Sequence, residues 1–340
     1  MNTKTKLICV TPIKNEEWIL EKFLSAASLW ADIIILADQG STDSSADICK
    51  KFKKVRRIIN PSKEYNELER QKLLLSEARK IKGKKVIVAL DADEFISGNF
   101  ISSKNLEKLR SFPKGTVIRF KWANINPNFA SYWESAEYTP FAFADDGITK
   151  HTGTKIHSIR VPNSSSSPVF DFDSIKIMHY QYVVWSRMES KHRWYQAWER
   201  INSPHKNSVS IYRQYHHMYG VNESKKLALP EEWFESYEKK GIMVRDIVDL
   251  DYHYWDYELI KLFEKYGLVY FKKENIWSFD WEKMSAFKSL IKDKPIKQSK
   301  LDKFVLGYLG MTQNFYESSF FGHWIISLLD FFPKFFWGAN

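Results

Sequence analysis

Cysteine is close to absent. The chain has two in 340 residues, Cys9 and Cys49, at no repeating spacing, which gives no disulfide framework and fits a reducing cytoplasm. The opening Met-Asn-Thr-Lys-Thr-Lys runs directly into Leu7-Ile8-Cys9-Val10, without the long apolar segment or small-residue cleavage site of a signal peptide. After that run, Thr11-Pro12-Ile13-Lys14-Asn15 does not supply the glycine-rich, basic phosphate loop expected of a sugar-phosphate nucleotidyltransferase. No apolar run is uninterrupted for long enough to be read as a transmembrane span. Net negative charge is lacking too. The formal charge of +10 attracts polyanions, and nucleic acid, anionic lipid and nucleotide diphosphates all answer to it.

Aromatic residues, by contrast, are abundant. They make up 16% of the chain, with 24 Phe, 17 Tyr and 13 Trp, and imply broad aromatic surfaces in a cleft or at an interface. The length suits one large α/β domain with a smaller helical appendage. Apolar runs at 7–11, 33–37, a short one ending near Asn60, and 86–90 alternate with helical patterns through the first ninety residues, the signature of a parallel sheet. In the first of these helices Ile19, Phe23, Ala26 and Trp30 form one stripe, and Asn15 can cap its start.

The fourth run is the most informative. Val86-Ile87-Val88-Ala89-Leu90 stops on Asp91, Asp93 and Glu94, as a central strand does when it emerges at the carboxyl edge of its sheet, where open α/β folds bind ligands. Negative charge concentrated at such an edge calls for a positive partner, and a hard divalent cation holding phosphate is the simplest one. A solvated acidic turn is the bland alternative.

Three stretches taken together are more specific: Thr11-Pro12-Ile13-Lys14-Asn15-Glu16-Glu17, Ala37-Asp38-Gln39-Gly40-Ser41-Thr42-Asp43 and Leu90-Asp91-Ala92-Asp93-Glu94. Over residues 6–96 the chain resembles a family 2 glycosyltransferase. The resemblance implies an α/β, GT-A Rossmann-like sandwich with a mainly parallel central sheet and a C-terminal helical extension, divided into a GT-A domain at 1–205 and a helical region at 206–340. It implies a nucleoside diphosphate sugar as donor and Mn2+ or Mg2+ as cofactor. Asp38 is then expected at the nucleotide base, Asp91 near the ribose and Asp93 on the metal, with Glu94 supporting them. Gln39 stands where the family commonly carries a second acid. Arg70-Gln71 resembles an Arg-Asn position that approaches the nucleotide, and Thr11 and Asn15 are candidates to line its cleft. His179, after Ser174-Ile175-Lys176-Ile177-Met178, resembles a later histidine that completes the metal site in some GT-A enzymes. A satisfied histidine at the edge of an aromatic core is its alternative.

The acceptor half is less legible. An inverting transfer needs a carboxylate base facing the anomeric carbon from the side away from the diphosphate, and Asp93 is committed to metal. Asp146 is the candidate, with Asp145, Glu137 and Glu134 behind it. Each has ion pairing with Lys121, Lys150 or Lys155 as its bland alternative. Lys155–Arg160 and Ile175–His179 read as strands returning to the sheet edge. Residues 184–201 read as a basic, aromatic helix, which also motivates a nucleic-acid-binding module, although that module leaves the ordered acids unexplained. From Phe320 to Trp337 the chain is densely apolar and interrupted by His323, Asp330, Pro333 and Lys334, which suits either an anionic bilayer interface or burial against protein. The expected partners are the nucleotide sugar and a saccharide or glycolipid acceptor in surface glycan or lipopolysaccharide synthesis. The expected location is the cytoplasm, or the cytoplasmic membrane face as a peripheral protein.

Overall fold

The computed structural model describes residues 4–62, 64–101, 104–221, 223–249, 253–290 and 296–337. In chain order the first elements are β1 (Lys6–Ile13), α1 (Glu17–Ala27), β2 (Ile33–Asp38), α2 (Ser45–Lys50), β3 (Val55–Ile59), α3 (Glu67–Arg79) and β4 (Lys85–Ala89). The apolar runs become these strands because both faces are covered, and β1, β2 and β4 are almost wholly buried. Asn66 caps α3, its side chain accepting from the Glu69 N–H. Asn15 does not cap α1. Its backbone is left-handed, with φ 55°, and its Oδ1 accepts from the Thr42 N–H at 2.7 Å, so it ties the end of β1 to the turn after β2.

The sheet continues with β5 (Glu94–Ile96), then α4 (Asn105–Ser111), β6 (Val117–Ile125), β7 (Tyr132–Glu134), β8 (Thr139–Ala144) and β9 (Val169–His179). Its order is β3-β2-β1-β4-β8-β6-β9-β5, with β7 on β6. The pairings within β3-β2-β1-β4 are all parallel, as expected. The remainder is mixed, because β8 runs antiparallel to both β4 and β6 while β9 runs parallel to β6. One reading is corrected here: residues 155–160 form no strand. The core between the sheet and α3 contains Ile8, Val10, Ile35, Leu74, Ala78, Ile87 and Phe143.

Beyond β9 the chain forms α5 (Trp185–Asn202), α6 (Ser208–Tyr215), α7 (Glu232–Glu238), α8 (Tyr254–Tyr266), α9 (Ser285–Leu290), α10 (Lys300–Ser318), α11 (Phe320–Leu329) and α12 (Phe331–Phe336). Two compact units result, Met1–Val183 with Ala228–Leu250, and Val184–Leu227 with Asp251–Asn340. The division follows packing rather than a single cut at 205. In the sheet unit, the buried Tyr237 of α7 donates its hydroxyl to the Ile96 carbonyl. In the helical unit, Arg193 of α5 forms a two-pronged pair with Asp256 of α8 at 2.8 and 2.7 Å.

Candidate active site at the carboxyl edge of the sheet

The chain passes from β1 to β2 and β3 on one side and then returns to β4 on the other. The carboxyl ends of β1 and β4 therefore flank the topological switch point, where an open α/β sheet leaves a crevice. Asn15 follows β1, Asp38 ends β2, and Asp91, Asp93 and Glu94 follow β4, so four residues of the expected nucleotide and metal sets, with Glu94, stand on one edge.

Asp38 is buried. One of its oxygens accepts from the Ser41 N–H at 2.8 Å, and the other pairs with Arg57 at 2.6 Å. Gln39, where a second acid was expected, donates its amide to the Ser62 and Glu64 carbonyls and braces the segment that leads into α3.

The acids after β4 are arranged around a residue that sequence reading did not single out. The Arg160 Nη2 donates to Asp91 Oδ2 at 2.9 Å and to Glu94 Oε1 at 2.8 Å. Its guanidinium also lies over the rings of Trp122 and Phe141, at 5.5 and 5.2 Å. Glu94 is fully buried, and its other oxygen accepts from the Asp91 N–H while Trp122 Nε1 donates to Oε1. Burial, reinforced by the charges of Asp91 and Asp93 and opposed by Arg160, pushes the Glu94 carboxyl up to about 8. Burial acts to lower Arg160, but Asp91 and Glu94 hold its guanidinium above the usual range. Two carboxyl groups thus share one cation. The N-terminus of α3 positions that cation, because Glu67 takes the Ser158 N–H at 2.8 Å and gives its own N–H to the Lys155 carbonyl.

His179 is brought to the same place. It pairs in register with Glu94 across β5 and β9, and the next residue, Tyr180, donates its N–H to the Asp93 carbonyl at 2.8 Å. The His179 ring is held by Asn124, Nδ1 to Oδ1 at 3.0 Å, and stacks on Trp122. Among the described residues no three His, Cys, Asp or Glu side chains are grouped to hold a metal unaided. A buried carboxylate and a nearby imidazole fit the kind of Mg2+ or Mn2+ site in which phosphate and water complete the shell.

Other expectations fare differently. Thr11 is fully buried beside Cys9 Sγ and offers no surface to a ligand. Arg70 sits over the Tyr65 ring and faces Glu67 at 3.7 Å on the first turns of α3. Asp145 and Asp146 follow β8, which is antiparallel to β4, so they lie at the amino end of β4, the opposite edge from Asp91 and Asp93. Asp145 pairs with Arg79 at 2.9 Å and Lys85 at 3.8 Å. Asp146 accepts from the N–H groups of Ile148 and Thr149, both at 2.9 Å. Neither can serve as a base at the carboxyl edge. Glu137 is exposed in the turn before β8, on the same edge as Asp91. Glu134 is paired with Lys176 and Lys121.

Residues 8–158 match the profile described as Glycosyl transferase family 2. They form a family 2 glycosyltransferase domain. Solved structures similar to this chain include glucosyl-3-phosphoglycerate synthase from Mycobacterium tuberculosis in complex with Mn2+, uridine diphosphate and glucosyl-3-phosphoglycerate (18% identity, TM-score 0.25, covering 36% of this chain and 44% of that one). GalNAc-T7 with UDP, GalNAc and Mn2+ is another (13%, 0.35, covering 53% and 44%). A third is 4-diphosphocytidyl-2C-methyl-D-erythritol synthase (14%, 0.28, covering 42% and 76%). At these TM-scores none bears on function, and the chain spans less than half the length of the first two. No curated protein matches. The glycosyltransferase domain contains Asn15, Asp38, Arg70, Asp91, Asp93 and Glu94, while Arg160 and His179 lie beyond the matched residues.

Proposed function

We propose that this protein transfers a sugar from a nucleoside diphosphate sugar to a saccharide hydroxyl, with inversion. The observation that carries the reading is the group formed by half-buried Asp91 with buried Asp93 and Glu94 at the β1/β4 switch point, with two of its carboxyl groups on one guanidinium. Such an edge favours a cationic group that brings phosphate with it.

In this reading Asp38 and Asn15 flank the nucleoside, Arg70 reaches toward phosphate, and Asp91 lies by the ribose. Asp93 and His179 hold Mn2+ or Mg2+, which when bound neutralises charge gathering on the departing diphosphate. Asn124 fixes the imidazole so that its other nitrogen faces outward from that bond. Of the four acids named for the base, Glu137 alone is retained. The acceptor is a saccharide or glycolipid of a surface glycan or lipopolysaccharide, at the cytoplasmic membrane face.

The test is a panel of uridine, thymidine and guanosine diphosphate sugars with Mn2+, read by calorimetry and by nucleotide release. One or more donors bind only with metal, and Glu137→Gln slows transfer without weakening donor binding. Absence of metal-dependent binding across the panel removes the donor assignment, and unchanged transfer in Glu137→Gln removes the base.

A further inference from the structure

The helices α10 to α12 turn their polar groups inward and their aromatic groups outward. On the inner side, Gly322, Ile326, Asp330 and Trp337 are buried at helical spacing. Asp330 is gripped by Arg213 of α6 at 3.0 and 2.9 Å, and the same guanidinium bonds Gln313, Thr312 and the Leu309 carbonyl. Trp337 Nε1 donates to Asp302 Oδ1 at 2.7 Å. These bonds fix which face looks out. On the outer side, Phe321, Trp324, Leu328, Phe332 and Phe335 recur every three or four residues, and each is more than half exposed. Phe304 and Met311 of α10 are also exposed, at 74% and 80%.

We propose that this outer face seats in the interfacial layer of a bilayer containing anionic lipid. Two features select lipid over a second copy of the chain. The three acids of residues 296–337 are engaged within the helical unit: Asp302 with Ser299 and Trp337, Glu317 with Gln313, and Asp330 with Arg213. The lysines Lys297, Lys300 and Lys303 are exposed, and Lys334 is half-buried. Among the described residues none of these four has an ion-pair partner. An aromatic face edged by cations complements anionic headgroups above acyl chains, whereas a like face opposite would place cation against cation. No described helix is long and apolar enough to cross a membrane, so the contact is interfacial.

The experiment is sedimentation of the full chain with phosphatidylcholine vesicles, with and without phosphatidylglycerol. Binding is expected to be about tenfold stronger with the anionic lipid. The variant F321E/L328E/F335E, changed only on the outer face, should lose at least tenfold in binding with its circular dichroism and thermal transition unchanged. The variant K300E/K303E should lose only the preference for anionic lipid. Equal sedimentation of wild type and F321E/L328E/F335E overturns the proposal. So does a wild type that ignores both vesicles, or one that is a dimer which F321E/L328E/F335E dissociates and vesicles leave intact. Donor binding without vesicles reads the carboxyl-edge site separately, so either idea can fail alone.

Discussion

The two ends of β4 carry acids under opposite conditions. At its amino end Asp145 is held by Arg79 and Lys85, and Asp146 closes its own turn on the Ile148 and Thr149 N–H groups. Charge there is balanced by the protein itself, and the cluster is complete. At its carboxyl end Asp91 and Glu94 lean on one Arg160, and Glu94 is pushed up to about 8. There two carboxyl groups divide a single guanidinium between them. The contrast teaches that an acid pair in sequence is structural or functional according to the cations the fold delivers to it, and delivery is decided by residues far along the chain.

The sharpest way to break the comparison is at Asp93. Asp93→Asn is expected to reduce transfer at least a hundredfold, on the order of 3 kcal/mol of transition-state stabilisation, with the thermal transition preserved. A loss of less than tenfold would place the reaction elsewhere. Next in size is Arg160→Gln. Removing the shared cation leaves Asp91 and Glu94 opposed in a buried site, at a cost of roughly 3 to 5 kcal/mol. If the edge is built for a cationic ligand, Mn2+ with a nucleoside diphosphate should restore more stability to this variant than it adds to wild type. Equal gains, measured by thermal shift, would mean that Arg160 is a structural tie only.

How much of this was legible follows from where the information lies. The strands β1, β2 and β4 and the acids at their ends were readable because each is a local apolar run with a local stop. Arg160 was not, because its partners are 69 and 66 residues away and nothing local marks a guanidinium that will turn inward. The direction of β8 was also hidden. Phe141-Ala142-Phe143-Ala144 looks the same run either way, yet its antiparallel pairing with β4 is what carries Asp145 and Asp146 to the wrong edge for catalysis. His179 was legible only by resemblance, and the register that sets it beside Glu94 came from the fold. The return of α7 to the sheet unit was unreadable for a related reason: periodicity says that a helix has an apolar face, not which core receives it.

The two ends should also respond to pH with opposite sign. Glu94 has a folded value raised above that of the unfolded chain, so the folded protein holds the proton more tightly between about 4.5 and 8. Its contribution is fully present below that window and is lost as pH rises through it, on the order of 5 kcal/mol without metal. For Asp146, partial burial acts upward, but the bonds from Thr149 and Ile148 hold its carboxyl below the usual value of 3.8. Its contribution is present above that value and is lost as pH falls through the folded one. Stability measured against pH should therefore show a metal-free alkaline loss that shrinks in Asp93→Asn, where one repelling charge is gone. An alkaline limb identical in the two proteins would assign it to another group.

The smallest expected effect separates the two ends most cleanly. Asp146→Ala removes the acceptor for two backbone N–H groups and the Thr149 hydroxyl at a half-buried turn, which should cost about 1 kcal/mol because water can reach part of the turn and replace the lost bonds. Transfer by the folded protein should stay within about twofold of wild type, since an acid one strand length from the reacting groups cannot take the acceptor's proton. Kinetics well below the melting temperature keep the two quantities apart. A large fall in turnover with an unchanged thermal transition would return the base to Asp146 and require β8 to present its far end to the crevice, against its pairing of Val86 with Ala144.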